Sequence, residues 1–395
     1  MEEQKIAIDF SDTKIAYAHK SDKELKDMFR LFKLMNNAAL VKFGSSFGLT
    51  AVKLRLPFAK AAVKKTIFSQ FVAGENLLDS QQVISHLYNN NTQTILDYGA
   101  ESKSTVEELD HVRDETIRAI KLAASNNSVP AVSTKITGLA KNELLEKLNR
   151  DEALNATEKA EYDKLFSRLD AICKEAYEQG VSVLVDAEES WMQIAMDRLV
   201  DQMMETYNKD RVTVWNTYQL YRKDKLDFLK ESHEKAQSKN YLLGAKLVRG
   251  AYMDKEANRA MEMGYENPIQ TSKENTDRDY NLSLEYCVEN HKTIASVCAS
   301  HNLKSNLHQA QLIEEKGISK KNPHLNFCQL YGMSDNITFN LANAGYNVAK
   351  YLVYGPVTEV LPYLVRRAKE NSSVTGDMSR ELTLVYNEMK RRGLR

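Results

Sequence analysis

"VSVLVDAEESWMQIAMDRLVDQMMETYNKDRVTVWNTYQ", residues 181–219, holds a complete strand–helix–strand pattern. The short runs at 181–188 and 212–219 are apolar and rich in β-branched residues, which predicts two buried strands. The longer segment between them has the apolar spacing of an amphipathic helix. Because parallel strands can be joined only by a crossover connection, usually a helix, this stretch predicts an α/β fold built on a parallel sheet.

The same alternation continues along the chain from about residue 94. The other strand candidates lie at 94–100, 131–137, 243–250, 295–302, 325–332 and 347–355. Eight strand–helix units over about 260 residues match the size of a (β/α)8 barrel. A doubly wound sheet is the competing architecture. The number of strands and the absence of a G-x-G-x-x-G motif argue against a dinucleotide-binding version of it.

The pattern divides the chain into three predicted segments. Residues 1–90 form an N-terminal helical segment, 91–373 form the barrel, and 374–395 form a C-terminal tail. The first segment is assigned as helical because it is rich in Lys, Leu, Ala and Phe and has few β-branched clusters.

The composition is that of a soluble globular protein, with 43% hydrophobic and 27% charged residues among 395 and a formal net charge of zero. The neutral balance gives no reason to expect a nucleic-acid partner. Four scattered cysteines without a C-x-x-C motif indicate a reducing compartment. The acidic start of the chain differs from a signal peptide or presequence, and no apolar run is long enough to span a bilayer. We therefore expect a bacterial cytoplasmic protein, with peripheral membrane contact at most.

One basic stretch is a candidate for such contact. Residues 28–74 contain no Asp or Glu. The lysines and arginines of this stretch are Arg30, Lys33, Lys42, Lys53, Arg55, Lys60, Lys64 and Lys65. A basic amphipathic segment can lie on an anionic membrane surface. The alternative is that these side chains simply solvate helices packed on the main domain.

Polar side chains stand at the carboxyl ends of most predicted strands, where barrels of this type carry their functional residues. They are Lys135, Asp186, Glu188, Glu189, Asn216, Gln219, Lys246, Arg249, His301, Asn302, Gln329 and Tyr354. One such residue alone would more often be structural than functional. Their recurrence at so many strand ends predicts a site at this end of the barrel.

After the eighth strand, the segment "YLVRRAKEN" (363–371) has two faces at helical spacing. The apolar face consists of Val357, Val360, Leu361, Leu364, Val365 and Ala368, and the other face consists of Tyr363, Arg366, Arg367 and Glu370. Glu370 is spaced to pair with both arginines. The general interpretation is a solvated face. The alternative is a helix across the barrel mouth whose arginines bind a planar carboxylate. Pro362 predicts that the helix becomes regular only from about that residue.

Five motifs follow one another along the predicted barrel: "STKITGL" (133–139), "VLVDAEES" (183–190), "KLVRGAYMDKE" (246–256), "ASHN" (299–302) and "YGPVTEVLPYLVRRAKEN" (354–371). They resemble the ordered motif series of the proline dehydrogenase family, and "FVAGENL" (71–77) resembles the segment ahead of the barrel in that family. The resemblance covers roughly residues 70–372. The resemblance implies a distorted (β/α)8 barrel that binds FAD without a Rossmann motif. It also implies the first step of proline catabolism to glutamate: oxidation of L-proline to 1-pyrroline-5-carboxylate by hydride transfer to flavin N5, with electrons passed to membrane quinone.

The family also includes longer members fused to an aldehyde dehydrogenase or a DNA-binding module. This chain ends about twenty residues after the arginine helix. We therefore expect a monofunctional enzyme, whose product is oxidised by a separate 1-pyrroline-5-carboxylate dehydrogenase.

The resemblance implies roles for individual residues. Arg366 and Arg367 match the pair that clamps the proline carboxylate, and Lys135 matches a lysine that contacts the same carboxylate. Asp186 matches the aspartate that holds this charged cluster together. The predicted catalytic set is Lys135, Asp186 and Lys246; the other substrate-binding matches are Leu247, an apolar wall residue, and the aromatic Tyr354 and Tyr363. The predicted cofactor-binding set is Asn216, Arg249, Gly250, Ala251, Ser300, His301, Gln329 and Glu370.

Two departures from the family pattern concern the flavin positions. Some members have Arg and then Lys where this chain has Lys246 and then Arg249. Both positions remain cationic, but the planar guanidinium stands at the second position instead of the first. Asn216 stands where some relatives have Gln, which shortens the reach of the amide.

Three other functions are compatible with parts of this pattern. The first is oxidation of hydroxyproline, against which the bulky Tyr354 argues because it would crowd a ring hydroxyl. The second is a metal-dependent barrel lyase using Asp186, Glu188, Glu189 and His301, although we expect no metal. The third is a non-catalytic binding protein, against which the cost of burying so many charges without a ligand argues.

Overall fold

The computed structural model describes residues 8–37, 59–99, 103–372 and 377–394. The chain forms two compact units. One comprises residues 1–100 and 329–395, and the other comprises residues 101–328. Each unit is described by itself below.

The eight strands form a closed barrel in the order β1 to β8, which confirms the predicted fold. Their bounds are Gln93–Tyr98 (β1), Ala131–Lys135 (β2), Ser182–Asp186 (β3), Val214–Gln219 (β4), Leu243–Val248 (β5), Ile294–Ala299 (β6), Leu325–Leu330 (β7) and Val348–Tyr354 (β8). Most strands are shorter than predicted because their final polar residues belong to the following loops. Glu188, Arg249 and His301 all lie beyond the last residue of their strands.

In the unit of residues 101–328, strands β2 to β7 pair in parallel with their neighbours. The long helix that precedes β3 illustrates why these segments are helical. Asn155 caps its first turn through a capping box with Glu158, and Gly180 ends it in the left-handed conformation, with φ of 71°.

The helices of the described chain, numbered in order, are Thr13–Ala16 (α1), Asp22–Met35 (α2), Ala59–Val63 (α3), Ser69–Phe71 (α4), Leu77–Tyr88 (α5), Val106–Ala124 (α6), Asn142–Asn149 (α7), Ala156–Gln179 (α8), Ser190–Tyr207 (α9), Lys225–Ser238 (α10), Met253–Met263 (α11), Lys273–Glu289 (α12), Leu303–Glu315 (α13), Asp335–Asn343 (α14), Val357–Ser372 (α15) and Asp377–Arg391 (α16). A π-helical turn at Lys64–Phe68 joins α3 to α4, and a 3₁₀ turn at Ile136–Gly138 follows β2.

Alternation along the strands separates a helix-facing side from the barrel interior. On β4, Asn216 Nδ2 donates to Asp197 Oδ1 of α9 at 3.0 Å, and the Tyr218 ring lies 5.7 Å from the Phe228 ring of α10. These two side chains therefore face the helices. The intervening Thr217 faces the interior, and Lys246 of β5 is its register partner.

In the other unit, β1 and β8 pair in parallel from Gln93↔Ala349 to Tyr98↔Tyr354. The predicted N-terminal helical segment is present over its described residues, and the predicted C-terminal tail contains a helix, α16. The placement of the two segment boundaries stays a prediction. Of the basic residues between 28 and 74, Lys42, Lys53 and Arg55 lie outside the described residues.

The prediction for the start of the arginine helix is wrong. Helix α15 begins at Val357 and contains Pro362 in its interior. A proline there lacks the N–H that would bond to the carbonyl of Thr358, but the residues before it keep the helical conformation. The backbone thus tolerates one missing hydrogen bond within this helix.

A buried ion pair joins β8 to α14 in this unit. Lys350 is fully buried, and its Nζ lies 2.9 Å from Asp335 Oδ1. On the other oxygen, Asp335 Oδ2 lies 3.7 Å from Nε2 of His19. Burial alone would raise the pKa of the Asp335 carboxyl, but the Lys350 charge and the His19 hydrogen bond outweigh it and hold that pKa well below its usual range.

Replacing Asp335 with alanine leaves the Lys350 charge buried without this carboxylate. We expect Asp335→Ala to lower the free energy of unfolding by about 3–5 kcal/mol, measured by urea denaturation. Glu205→Ala is the control, since it breaks a surface pair with Lys239 and surface pairs contribute little. Equal losses in the two variants would contradict the assigned importance of the buried pair.

Candidate active site

Three ionisable residues from different strands meet in the unit of residues 101–328. The Nζ atom of Lys135, at the end of β2, lies 3.0 Å from Asp186 Oδ2, at the end of β3. Lys246 of β5 donates to the other oxygen, Asp186 Oδ1. Ser133 Oγ also donates to Asp186 Oδ1, at 2.9 Å. The three residues predicted as the catalytic set thus form one cluster, while their catalytic role stays a prediction.

This cluster holds two cations and one anion in a poorly hydrated place. The side chains of Lys135, Asp186 and Lys246 are 10%, 15% and 6% exposed. Charges interact more strongly here than in water because the local dielectric is low. Two lysine side chains converge on this place, and an anionic ligand group beside them would be attracted to both.

A second buried carboxylate follows directly. Glu188 is almost fully buried and accepts two hydrogen bonds from Thr137, from the backbone N–H at 3.1 Å and from Oγ1 at 2.6 Å. Burial raises the pKa of Glu188 to about 7 despite these hydrogen bonds, and the neighbouring Glu189 charge raises it further. Glu188 therefore titrates near neutral pH.

Asn216 faces the helix layer, and its predicted contact with a flavin stays a prediction. Its amide is tied to Asp197 on the helix-facing side of β4, because an even-numbered residue of this strand points outward. Gln219, three residues later, lies on the interior side at the end of β4 and is buried. Among the described residues, its Oε1 accepts no hydrogen bond. Gln219 lies two residues after Thr217 and so shares its interior face, but no local sequence signal shows which residues of β4 point inward.

Leu247, like Asn216, faces the helix layer. It follows Lys246 on β5, so its side chain leaves the strand on the helix-facing side, where it is fully buried. Its predicted role as an apolar wall beside a substrate stays a prediction. The next residue, Val248, returns to the interior side and is half-buried.

Arg249 is held by side chains of the loops around it. Its Nε donates to Asp277 Oδ1 at 2.8 Å, its Nη1 to Ser300 Oγ at 2.7 Å and its Nη2 to Ser305 Oγ at 2.9 Å. The guanidinium carbon also lies 4.3 Å from the centroid of the Tyr280 ring. These contacts fix the arginine in one orientation and bring it together with Ser300, as predicted for the cofactor set.

The N-terminus of α13 lies at this cluster. Asn302 caps the helix by accepting a hydrogen bond from Ser305 N at 3.1 Å, and the Ser305 hydroxyl contacts Arg249. A helix N-terminus carries partial positive charge and free N–H groups. Combined with a fixed guanidinium, it can hold a phosphate group. His301, half-buried, lies between Ser300 and the cap.

Gly250 is required by close packing. Its φ of 138° lies in a region that favours glycine, and an added Cβ would lie 2.4 Å from the Tyr221 ring. The backbone after Arg249 is therefore pressed against an aromatic ring with no room for a side chain. Ala251, the next predicted cofactor residue, is exposed.

The other predicted residues lie in the unit of residues 1–100 and 329–395. Tyr354 is fully buried, and its ring centroid lies 5.5 Å from that of Tyr98. On α15, Tyr363 and Arg367 are also buried, and the Arg367 guanidinium carbon lies 5.4 Å from the Tyr363 ring centroid. The interpretation of this helix face as solvated is therefore wrong.

Three further predicted residues belong to this unit. Arg366 is half-buried on α15, while the side chain of Glu370 lies outside the described residues. Gln329 is buried, and its Oε1 accepts a hydrogen bond from Thr338 Oγ1 at 2.8 Å. Part of its hydrogen-bonding capacity is thus used within the protein.

The described residues also bear on the metal and membrane interpretations. Within the described residues, no group of three or more His, Cys, Asp or Glu side chains is arranged to hold a metal ion, so the metal-lyase alternative gains no support. Over the same residues, every helix is too short or too polar to cross a bilayer.

The chain matches a known family. The family model described as "Proline dehydrogenase" matches residues 80–380. Proline dehydrogenase 1, mitochondrial, of Dictyostelium discoideum is 32% identical over 429 aligned residues, covering 96% of this chain and 74% of that protein. Hydroxyproline dehydrogenase of Xenopus laevis is 32% identical over 425 aligned residues, covering 98% of this chain and 90% of that protein.

A solved structure agrees in fold. Proline utilization A (PutA) from Bdellovibrio bacteriovorus, inactivated by N-propargylglycine, superposes with a TM-score of 0.72 at 24% identity. The superposition covers 91% of this chain but only 38% of that chain. At this level of identity the likeness supports the barrel fold alone.

The raised pKa of Glu188 makes stability depend on pH. A carboxyl whose pKa is raised from 4.5 to about 7 by folding contributes stability that is present below pH 4.5 and is lost as pH rises through about 7. Glu188→Gln stays neutral, so its free energy of unfolding should rise relative to wild type by roughly 3 kcal/mol between about pH 5 and pH 8. Urea denaturation at the two pH values measures this difference.

Glu205→Gln is the control for this experiment, because Lys239 lowers the pKa of Glu205 and no such gain with pH is expected. A constant difference between Glu188→Gln and wild type at both pH values would show that Glu188 ionises normally in the folded protein.

Proposed function

The chain belongs to the proline dehydrogenase family, and we propose that it oxidises L-proline to 1-pyrroline-5-carboxylate with FAD as the oxidant and membrane quinone as the final acceptor. The single observation that carries the proposal is the cluster in which Asp186 serves two buried lysines, Lys135 and Lys246. Two lysines that converge at one buried place suit a substrate carboxylate.

The chemistry of the substrate sets what the residues must do. Proline loses hydride from the ring carbon beside nitrogen, and the nitrogen lone pair forms the C=N bond, so the nitrogen must first lose its extra proton. We therefore assign no nucleophile. Lys135 binds the carboxylate and fixes the ring, so that binding free energy is used for alignment. Asp186 ties Lys135 to Lys246 and so holds both lysines of the predicted catalytic set in place. The roles of Arg366, Arg367 and Tyr363 in binding proline are proposals from the resemblance.

The residues around β4, β5 and α13 fit FAD. Gln219 offers a buried amide oxygen that can accept a hydrogen bond from a ring N–H. Arg249, Ser300 and the α13 N-terminus suit a diphosphate, and Gly250 lets the backbone approach closely. When bound, FAD supplies the two-electron acceptor of the oxidation. We propose Gln219 in place of Asn216 as the amide of this site.

Hydroxyproline is the second candidate substrate, because the Xenopus laevis hydroxyproline dehydrogenase aligns with 98% of this chain. The bulk of Tyr354 supports proline. Its ring is fully buried and packs near Tyr98, so it cannot turn away readily to admit a ring hydroxyl.

The visible absorption spectrum tests this proposal. We expect the purified protein to show a flavin spectrum that bleaches when L-proline is added without oxygen and persists when 4-hydroxyproline is added. Bleaching by hydroxyproline alone would reassign the substrate. A colourless protein that cannot be reconstituted with FAD would refute the proposal.

A matched pair of variants separates substrate binding from cofactor binding in the same assay. Arg367→Lys keeps the charge but loses the planar two-donor fork, so the proline concentration for half bleaching should rise by roughly 10- to 100-fold with unchanged flavin content. Arg118→Lys, on the exposed surface of α6, should match wild type. An unchanged titration of Arg367→Lys would remove Arg367 from the substrate site.

Electron transfer to a membrane quinone requires an encounter with the bilayer. We propose that the basic residues around α3 contribute to it. Lys60, Lys64 and Lys65 are exposed, and the first two pair with Glu75 at 2.8 and 2.7 Å. Glu75 offsets part of their charge, so the surface is less basic than the sequence alone indicates.

Replacing Lys60, Lys64 and Lys65 with glutamate should weaken binding to anionic liposomes by roughly tenfold or more, because each basic residue near the surface contributes about 1 kcal/mol. Cosedimentation with vesicles measures this. The control carries the same charge change at Lys159, Lys164 and Lys174 on the exposed side of α8. Equal binding by both triple variants would exclude α3 as the membrane surface.

A further inference from the structure

The strand pair that carries Lys135 and Asp186 is tied together a second time just beyond its end. Lys135 and Asp186 are register partners of β2 and β3. Thr137 and Glu188 each follow two residues later, and both oxygens of Glu188 accept hydrogen bonds from Thr137. The ion pair and this hydrogen-bonded pair are therefore successive links between the same two chain segments.

Glu188 is itself fixed from behind by helix α9. Its backbone N–H donates to Gln193 Oε1 at 2.7 Å. Gln193 Nε2 then donates to Asp197 Oδ1 at 2.9 Å, and Asp197 Oδ2 accepts from Lys225 Nζ at 2.7 Å. All of these side chains are buried. The backbone that carries the Glu188 carboxylate is thus anchored to the helix layer.

We propose that Glu188 is a positioning residue: by holding Thr137 it fixes the turn Ile136–Gly138 and so keeps Lys135 in place to bind a carboxylate ligand. The turn follows Lys135 directly, and Thr137 is buried. Without Glu188, the N–H and hydroxyl of Thr137 would lose their acceptor, which is unfavourable for buried polar groups. The turn would shift to find other partners and would carry Lys135 with it.

The charge of Glu188 also acts on ligand binding. When Glu188 takes up a proton near pH 7, the charge around Lys135 becomes more positive by one unit. Other charged groups on the elements around it are Glu189 with its partner Lys255, Asp197 with its partner Lys225, and the buried Glu256, which accepts hydrogen bonds from Ser190. Carboxylate binding should therefore tighten as pH falls from about 8 to 6.

This inference rests on the proposed function only in naming a carboxylate as the ligand. The probe is cyclopentanecarboxylate, which has a five-membered ring and a carboxylate but no amine that titrates or reacts. Calorimetry on the full chain as purified gives its dissociation constant at about pH 6 and pH 8. Hydrogen exchange of the peptide covering residues 133–140 reports the turn itself, without any ligand.

We expect Glu188→Ala to speed exchange in this peptide and weaken binding, each by roughly tenfold. Glu188→Gln can still accept from the Thr137 N–H and donate to its hydroxyl. It should keep the wild-type exchange rate. The affinity of wild type for the probe should fall roughly tenfold from pH 6 to pH 8, whereas Glu188→Gln should bind at pH 8 as tightly as wild type binds at pH 6. Thr137→Val removes only the hydroxyl donor and should give an intermediate change, which keeps the test informative if Glu188→Ala does not fold.

Glu205→Gln is the matched control and should behave as wild type in both measurements. Unchanged exchange in Glu188→Ala and Thr137→Val would overturn the positioning role. Wild-type pH dependence of binding in Glu188→Gln, or no binding of the probe by wild type, would overturn the link to the ligand. Neither measurement requires turnover, so a protein that passes both but is not reduced by proline would refute the proposed function and leave this inference standing.

Discussion

One carboxylate shared between two buried lysines is the constraint on which the site depends. A buried lysine is costly without a partner, and Asp186 offers one oxygen to Lys135 and the other to Lys246. This arrangement requires β2, β3 and β5 to present these residues at one level of the barrel. The parallel register provides it, because Lys135 pairs with Asp186, and Thr217 pairs with Lys246.

The pair formed by Lys350 and Asp335 shows the contrast. There, one cation meets one anion, and backbone carbonyl oxygens accept the remaining lysine protons. The contribution of such a pair is to structure. In the cluster around Asp186, one carboxylate is instead shared by two lysines that reach it from different strands.

The barrel could be predicted from the sequence because alternating strands and helices leave local patterns, although most strands end before the polar residues that these patterns assigned to them. The direction of side chains within strands could not. Strands of a parallel sheet are buried on both faces and show no alternation of polar and apolar residues, so nothing local marks Asn216 and Leu247 as facing the helices. The arginine face of α15 has the spacing of a solvated surface, and only tertiary packing buries Tyr363 and Arg367. The helix start before Pro362 was missed for a similar reason, since packing of Val357 and Val360 outweighs one lost hydrogen bond.

The buried chain of amides and charges between β4 and α9 has a consequence for how the protein folds. A purely apolar interface between a helix and a sheet can pack with the helix at several positions along the strand, because apolar side chains accept many different apolar neighbours. Gln193, Asp197 and Asn216 are satisfied only when the helix stands at one height along the strand. A shift by a single turn would leave three buried polar groups without partners, which would raise the free energy of that packing. These residues therefore favour one position of the helix along the strand over the others.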